Sequence, residues 1–504
     1  MVTMRVLVLG LDGANMDLIK HWASEGKLPN FEKVLKGGSY GYLESTIPTI
    51  TIPAWNCLST GKNPAKIGCF SFIQKAYRSY NFRVYQSLVE KEKDIWDILS
   101  EYGHKVFVFN VPNVLKAYKI NGWMVAGVLC LSDKYLAYPE NLREELYRMG
   151  YMRDISDIET LWGLSDRELS RKHKEITERQ CNVVLKFLER DWDFGFVVFT
   201  ELDRVQHAFW RKKGIILRHY QNIDKHLGRI LTKLEKNNEK FMLIIVSDHG
   251  FGKNERTFLL NEWLIKEGLL RVRRENSMLK SVLRIQKNEV VMKILKILWK
   301  FSVIRPLYLK IYKNAAKTHI LWEKTKAFSY GTWGTIYINL KGREPQGVVN
   351  EEEYERLRDY IIEKLRKMSV KAYKREELYH GKYLYLAPDI IVQVDDYVNS
   401  ISGVVGYGRL FKERFGGHHR RNNGTFIAYG NNIKENNIVN ARIYDIAPTI
   451  LHIFGLKIPN DMDGRVLKEI FECSDFARQT DFVRRKTDEI AKIKDRLKNL
   501  SKKL

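Results

Sequence analysis

The chain has 504 residues, 44% of them hydrophobic, and a formal net charge of +25. That is enough to bury a large core, in one big domain with insertions or in two to three domains. Five scattered cysteines with no C-x-x-C spacing argue against a disulfide framework or a thiolate zinc site, and no run reaches the roughly 18 apolar residues of a spanning helix.

The first element predicted is a buried strand, Arg5–Leu11, ending at Asp12-Gly13. This opening stretch, MVTMRVLVLGLDG, lacks the layout of a secretory signal, so with reduced cysteines a cytoplasmic location is expected. Next comes PTITIPAWNCLSTGKNP, Pro48–Pro64, which offers the hydroxyls of Thr49 and Thr51 at what reads as a helix start with Pro in its first turn. Its Gly61-Lys62 lacks the frame of a phosphate-binding P-loop. Strands follow at Lys105–Asn110, Phe194–Thr200, Phe241–Ser247, Ile390–Val394 and Thr425–Tyr429, and helical spacing covers Arg171–Glu189 and Gln221–Glu235. Strand–helix alternation predicts a mostly parallel sheet with helices on both faces, which binds ligands at the carboxyl ends of its strands.

Residues 271–325 break the pattern: they are basic and helix-like, with Lys293, Lys296 and Lys300 punctuating an apolar series. We read them as an inserted cap or lid, whose basic amphipathic face can also contact an anionic membrane peripherally. The catalytic core is then 1–270 with 326–472. Residues 473–504 read as a charged helix with Ile490, Ile493, Leu497, Leu500 and Leu504 near heptad spacing, able to pair two subunits or to dock on the core.

Candidate chemistry lies at the strand ends. VSDHGFG puts Asp248-His249 after an apolar run. FTELDRVQHAFW places Asp203 and His207 four apart, on one face if the segment is helical, and GGHHRRNNG adds His418 and His419. With Asp12 and Thr51 this is an oxygen- and nitrogen-rich set suited to two zinc-like or manganese-like ions. A basic surface favours anionic partners such as phosphate esters or acidic lipid, but no basic-aromatic array marks a nucleic-acid module, and nucleic acid is not expected.

These stretches, with GTIYINLKGREPQGVV (334–349), LAPDIIV (386–392) and YDIAPTILHIFGLKIPNDMDGRVL (444–467), occur in an order that resembles the alkaline phosphatase superfamily, in particular its type I phosphodiesterase/nucleotide pyrophosphatase branch. The resemblance implies an alkaline-phosphatase-like α/β three-layer sandwich and a metal-dependent hydrolase of phosphodiester or pyrophosphate bonds. It implies Thr51 as a nucleophile that becomes phosphorylated, and two divalent cations, zinc first and manganese as the alternative. Asp12, Asp248 and His249 would hold the ion that also binds Thr51; Asp203, His207 and one of His418 and His419 would hold the other. Two cations about 4 Å apart offset the charge of a phosphate ester, and coordination turns a threonine hydroxyl into a usable nucleophile near neutral pH. A phosphomonoesterase or phosphonate hydrolase on the same core, and a non-catalytic anion binder, are the alternatives.

The chain departs from the family at three points. Phe72 stands where the nucleotide pyrophosphatases carry an Asn that donates to the phosphoryl oxygen, leaving Asn56 or a backbone N–H as a substitute. Two adjacent histidines compete for one ligand position. CLSTGKNP is not C-x-P-x-R, so Cys57 does not supply sulfatase-type formylglycine.

Overall fold

The computed structural model describes residues 4–130, 132–153, 164–236, 240–273, 320–395 and 398–472. Its centre is a ten-stranded sheet. In chain order the strands used below are β1 (Arg5–Leu11), β2 (Gly38–Glu44), β3 (Val106–Val111), β4 (Gly122–Ala126), β5 (Phe194–Phe199), β6 (Phe241–Val246), β7 (Gly250–Leu259), β8 (Phe411–Arg420) and β9 (Gly424–Gly430). The helices are α1 (Met16–Ser24), α2 (Thr51–Thr60), α3 (Asp166–Phe187), α4 (Glu201–Phe209) and α5 (Lys213–Glu235).

Across the sheet the order β2-β9-β6-β1-β5-β3-β4 holds a run of five parallel strands, β6 to β4, with β9 antiparallel beside β6. The parallel strands read as unbroken apolar runs because both faces are covered. Successive side chains alternate faces. Val6 and Val8 join Phe196, Val198, Ile244 and Val246 in a core against α2, while Leu7, Leu9 and Leu11 join Val197, Phe199 and Ile245 under α1, α3, α4 and α5. This is the expected three-layer sandwich.

Register fixes where the chemistry falls. Gly10 of β1 pairs with Val198 of β5 and Val246 of β6, so Asp12, the start of α4 and Asp248 leave the sheet side by side at its carboxyl edge. Gly10 is glycine for space: a Cβ there would lie 2.5 Å from the Trp55 ring and 2.8 Å from Val198. Gly10→Ala is expected to cost about 1–3 kcal/mol through overpacking, read as a lower thermal midpoint.

Two smaller sheets flank the core. β7 pairs with β8 and with Ser400–Ser402. A four-stranded sheet of Ala327–Ser329, Thr335–Ile338, Ile390–Val392 and Ala372–Lys374 packs with the helix Glu351–Lys367 around its own core. The apolar run at Ile390 is therefore a strand, but of this separate antiparallel sheet and not of the central one. Thr425–Tyr429 joins the central sheet with reversed polarity.

The cap assigned to 271–325 lies outside the described residues except at its base, where Val272 bridges Ile320. The helix assigned to 473–504 lies outside them entirely. The four cysteines among the described residues, Cys57, Cys69, Cys130 and Cys181, are free and buried. Among the described residues no helix is long and apolar enough to cross a membrane.

Candidate active site

Thr51 is the first residue of α2, and Ile50 before it offers no side-chain cap. The first-turn N–H groups of a helix have no intrahelical acceptors, so this terminus favours an anion. The Thr51 hydroxyl lies 3.4 Å from His249 Nε2. That nitrogen is also 3.2 Å from Asp248 Oδ2 and 3.8 Å from Asp12 Oδ1. Four residues from three separate stretches of the chain thus converge on one point.

Each is held from behind. The turn after β1 passes through Gly13 at φ +71, a left-handed conformation suited to glycine, and its N–H donates to Asp248 Oδ1 at 3.1 Å. Gln206 of α4 donates to the Gly13 carbonyl, Trp55 Nε1 reaches Asp12 Oδ2 at 3.5 Å, and the Ser45 hydroxyl donates to the Asp248 carbonyl. The Asp12-Gly13 pair is both a turn and a site element.

A second group adjoins the first. Asp203 Oδ1 lies 3.3 Å from His207 Nε2, one turn on along α4, and 3.2 Å from His419 Nε2. Antiparallel pairing sets Phe251 opposite His419 and Gly252 opposite His418, and adjacent strand residues point to opposite faces. His419 stacks on His249 with ring centroids 3.6 Å apart and joins the trio. His418 stands outside it, with Nδ1 buried and without a hydrogen-bond partner. Asp203, His207 and His419 form one set of close ligand-type atoms and Asp12, Asp248 and His249 another.

The hydrogen bonds fix the state of the rings. Nδ1 of His207, His249 and His419 sits 3.0–3.1 Å from the carbonyls of Gly417, Gly250 and Thr49. A carbonyl only accepts, so each Nδ1 carries the proton and each Nε2 presents a lone pair inward. Yet His207 Nε2 and His419 Nε2 are 3.0 Å apart. Two lone pairs at that distance repel unless positive charge lies beside them.

The carboxylates pose the same problem. Asp12 Oδ1 and Asp248 Oδ2 are buried without a hydrogen-bond partner. Burial, then the charge of Asp203, holds Asp12 well above the usual carboxylate range; burial, then Asp12, does the same to Asp248. Burial, followed by His419, pushes His249 down, and burial lowers His419 against the pull of Asp203. Inward lone pairs, orphaned buried oxygens and like charges in contact fit a pair of cations.

Other polar side chains of these stretches are employed elsewhere. The Thr49 hydroxyl donates to the Thr46 carbonyl. Lys62 pairs with Glu92 and Asp461. Arg420 donates to the carbonyls of Lys253 and His419, and Arg421 pairs with Glu44. The Asn56 amide donates to the Ile52 carbonyl and to Tyr85, so it is committed within and beside α2. Phe72 lines a cavity that begins at Ile50. Trp55 and Trp333, whose ring lies 6.1 Å from that of His419, carry no motif that would have marked them.

An α/β sandwich with a hydroxyl at a helix start and Asp/His groups at the strand ends defines the phosphate-ester hydrolases of the alkaline phosphatase superfamily. The sequence profile of the type I phosphodiesterase/nucleotide pyrophosphatase family matches residues 6–405, and the chain belongs to that family. His419 lies beyond the matched stretch. The fold is similar to murine ectonucleotide pyrophosphatase/phosphodiesterase 5 (14% identity, TM-score 0.53) and to the human protein (15%, 0.54), each over 93% of this chain and all of the other. It is equally similar to an inactive form of the murine protein in complex with AMP (14%, 0.54, the same coverage). No curated protein sequence matches the chain.

Proposed function

We propose that this protein hydrolyses phosphodiester or pyrophosphate bonds through a phosphothreonine formed on Thr51, with one divalent cation held by Asp12, Asp248 and His249 and a second by Asp203, His207 and His419. The carrying observation is the Thr51 hydroxyl, 3.4 Å from the inward lone pair of His249 at the open end of α2. When bound, the cations supply the charge that lowers the hydroxyl pKa and offsets the phosphoryl oxygens.

The chain does the rest. α2 presents N–H groups toward the phosphoryl oxygens. The Thr51 oxygen forms its bond to phosphorus as the bond to the leaving oxygen breaks, and water then cleaves the phosphothreonine. With Asn56 committed to Tyr85 and Phe72 apolar, backbone N–H groups of the first turn are the donors we assign to the phosphoryl oxygen in place of the family's Asn. The AMP complex of the murine protein supports an ester of a phosphate as substrate. Nothing in the site favours the non-catalytic alternative.

The test compares bis-(p-nitrophenyl) phosphate with p-nitrophenyl phosphate on protein whose metals are measured by elemental analysis. We expect two ions per chain and a diester preference; a large monoester preference would overturn the diester assignment. The same assay separates the adjacent histidines. His419→Ala is expected to lose one ion and at least about a hundredfold in rate, whereas His418→Ala keeps its metal content. Equal loss from both variants would refute the ligand set.

A further inference from the structure

One wall of the site is apolar. A cavity of about 240 Å³, partly open to solvent, is lined by Ile50, the residue before Thr51, and by Phe70, Phe72, Phe82, Trp333 and Tyr337. Trp333 is the partition between this cavity and the ring of His419, 6.1 Å away. Phe82 stacks on Tyr330 at the rim with centroids 3.6 Å apart. Among the described residues, no Lys, Arg, His, Asp, Glu, Asn or Gln lines it; its polar side chains are Ser71, Thr335 and tyrosines.

Such a wall discriminates by desolvation. An apolar group gains in proportion to the area it buries there, whereas ribose hydroxyls or a second phosphate would lose water and find few partners. Size acts in the same direction. The volume falls below the roughly 300–1,000 Å³ of pockets for drug-sized ligands and suits one ring or a short alkyl chain. At position 72 an aromatic face lines the cavity where an amide would have supplied a polar contact.

We infer that this cavity receives an uncharged apolar substituent of the phosphate ester, an aryl ring or short alkyl chain, and that Phe72 sets this preference over nucleosides. The inference rests on Thr51 as the attacking residue, since the cavity begins one residue away from it.

The experiment is calorimetric titration of the full-length, metal-loaded protein with methyl-, butyl- and phenylphosphonate and with AMP. Phenyl- and butylphosphonate are expected to bind about tenfold or more tighter than methylphosphonate, the order expected from burying a few methylene-sized groups. AMP is expected to bind no tighter than phenylphosphonate. Phe72→Asn and Tyr330→Ala change a half-buried and an exposed side chain, so folding tolerates them, and both should shrink the preference to within about threefold.

Equal affinity for methyl- and phenylphosphonate, absence of phosphonate binding, AMP binding about tenfold tighter than phenylphosphonate, or an undiminished preference in both variants would each overturn the inference. Turnover of bis-(p-nitrophenyl) phosphate is measured in parallel. No turnover with the apolar preference intact would sink the proposed reaction and still support the pocket; turnover without the preference would sink the pocket alone.

Discussion

Thr51→Ala is expected to lower hydrolysis of phosphodiesters by at least about a thousandfold, the scale seen when a covalent nucleophile is removed. The substitution deletes one hydroxyl and one methyl at a half-buried helix start, where Ile50 and not Thr51 occupies the cap, so the fold should tolerate it. Asp12, Asp248 and His249 still converge, and the metal content should remain near that of the parent. Thr51→Ser keeps the oxygen and should keep measurable turnover. Acid quenching during turnover followed by peptide mass spectrometry should find phosphate on Thr51. Alanine at full rate, or phosphate on another residue, would refute the assignment.

Chelation is expected to abolish activity and to lower the thermal midpoint, and the gap between loaded and chelated protein should widen as pH rises from about 5 to about 8. The direction follows from the two orphaned carboxyls. In the metal-free protein Asp12 and Asp248 hold protons well above their ordinary 3.8. The folded state then binds more protons than the unfolded chain, so their contribution is complete below about pH 4 and is lost as pH rises through the raised values. Bound cations keep both carboxylates ionised, and the loaded protein escapes that loss. The neutral rings of His249 and His419 cost stability as pH falls below the unfolded value of 6.5, but they do so in both forms and cancel in the difference. Differential scanning fluorimetry across this range reads the gap directly. A gap that stays constant or narrows with pH would show that these carboxyls do not face the ions.

Much of the site was legible because strand ends write themselves into sequence. A buried parallel strand needs an apolar run, and a polar residue immediately after it stands at the sheet's carboxyl edge; Asp12 and Asp248 were found that way. Asp203 and His207 followed from the 3.6-residue repeat of α4. The adjacent histidines did not yield, because a strand sends neighbours to opposite faces and sequence alone does not say which face meets the site. The pairing of Phe251 with His419 decides it. Ile390 likewise read as one more buried strand, since an apolar run is the same in either sheet.

By itself the sequence determined the layered α/β architecture, the hydroxyl at the start of α2 and the residue types of the candidate ligand groups, because apolar periodicity and short local spacings are properties of the chain. Only the tertiary structure decided that His419 joins Asp203 and His207, that Trp55 and Trp333 wall the site, and that Phe72 lines a cavity opening at Ile50. Those contacts join segments separated by tens to hundreds of residues, and they are set by strand register and close packing, which no local pattern encodes.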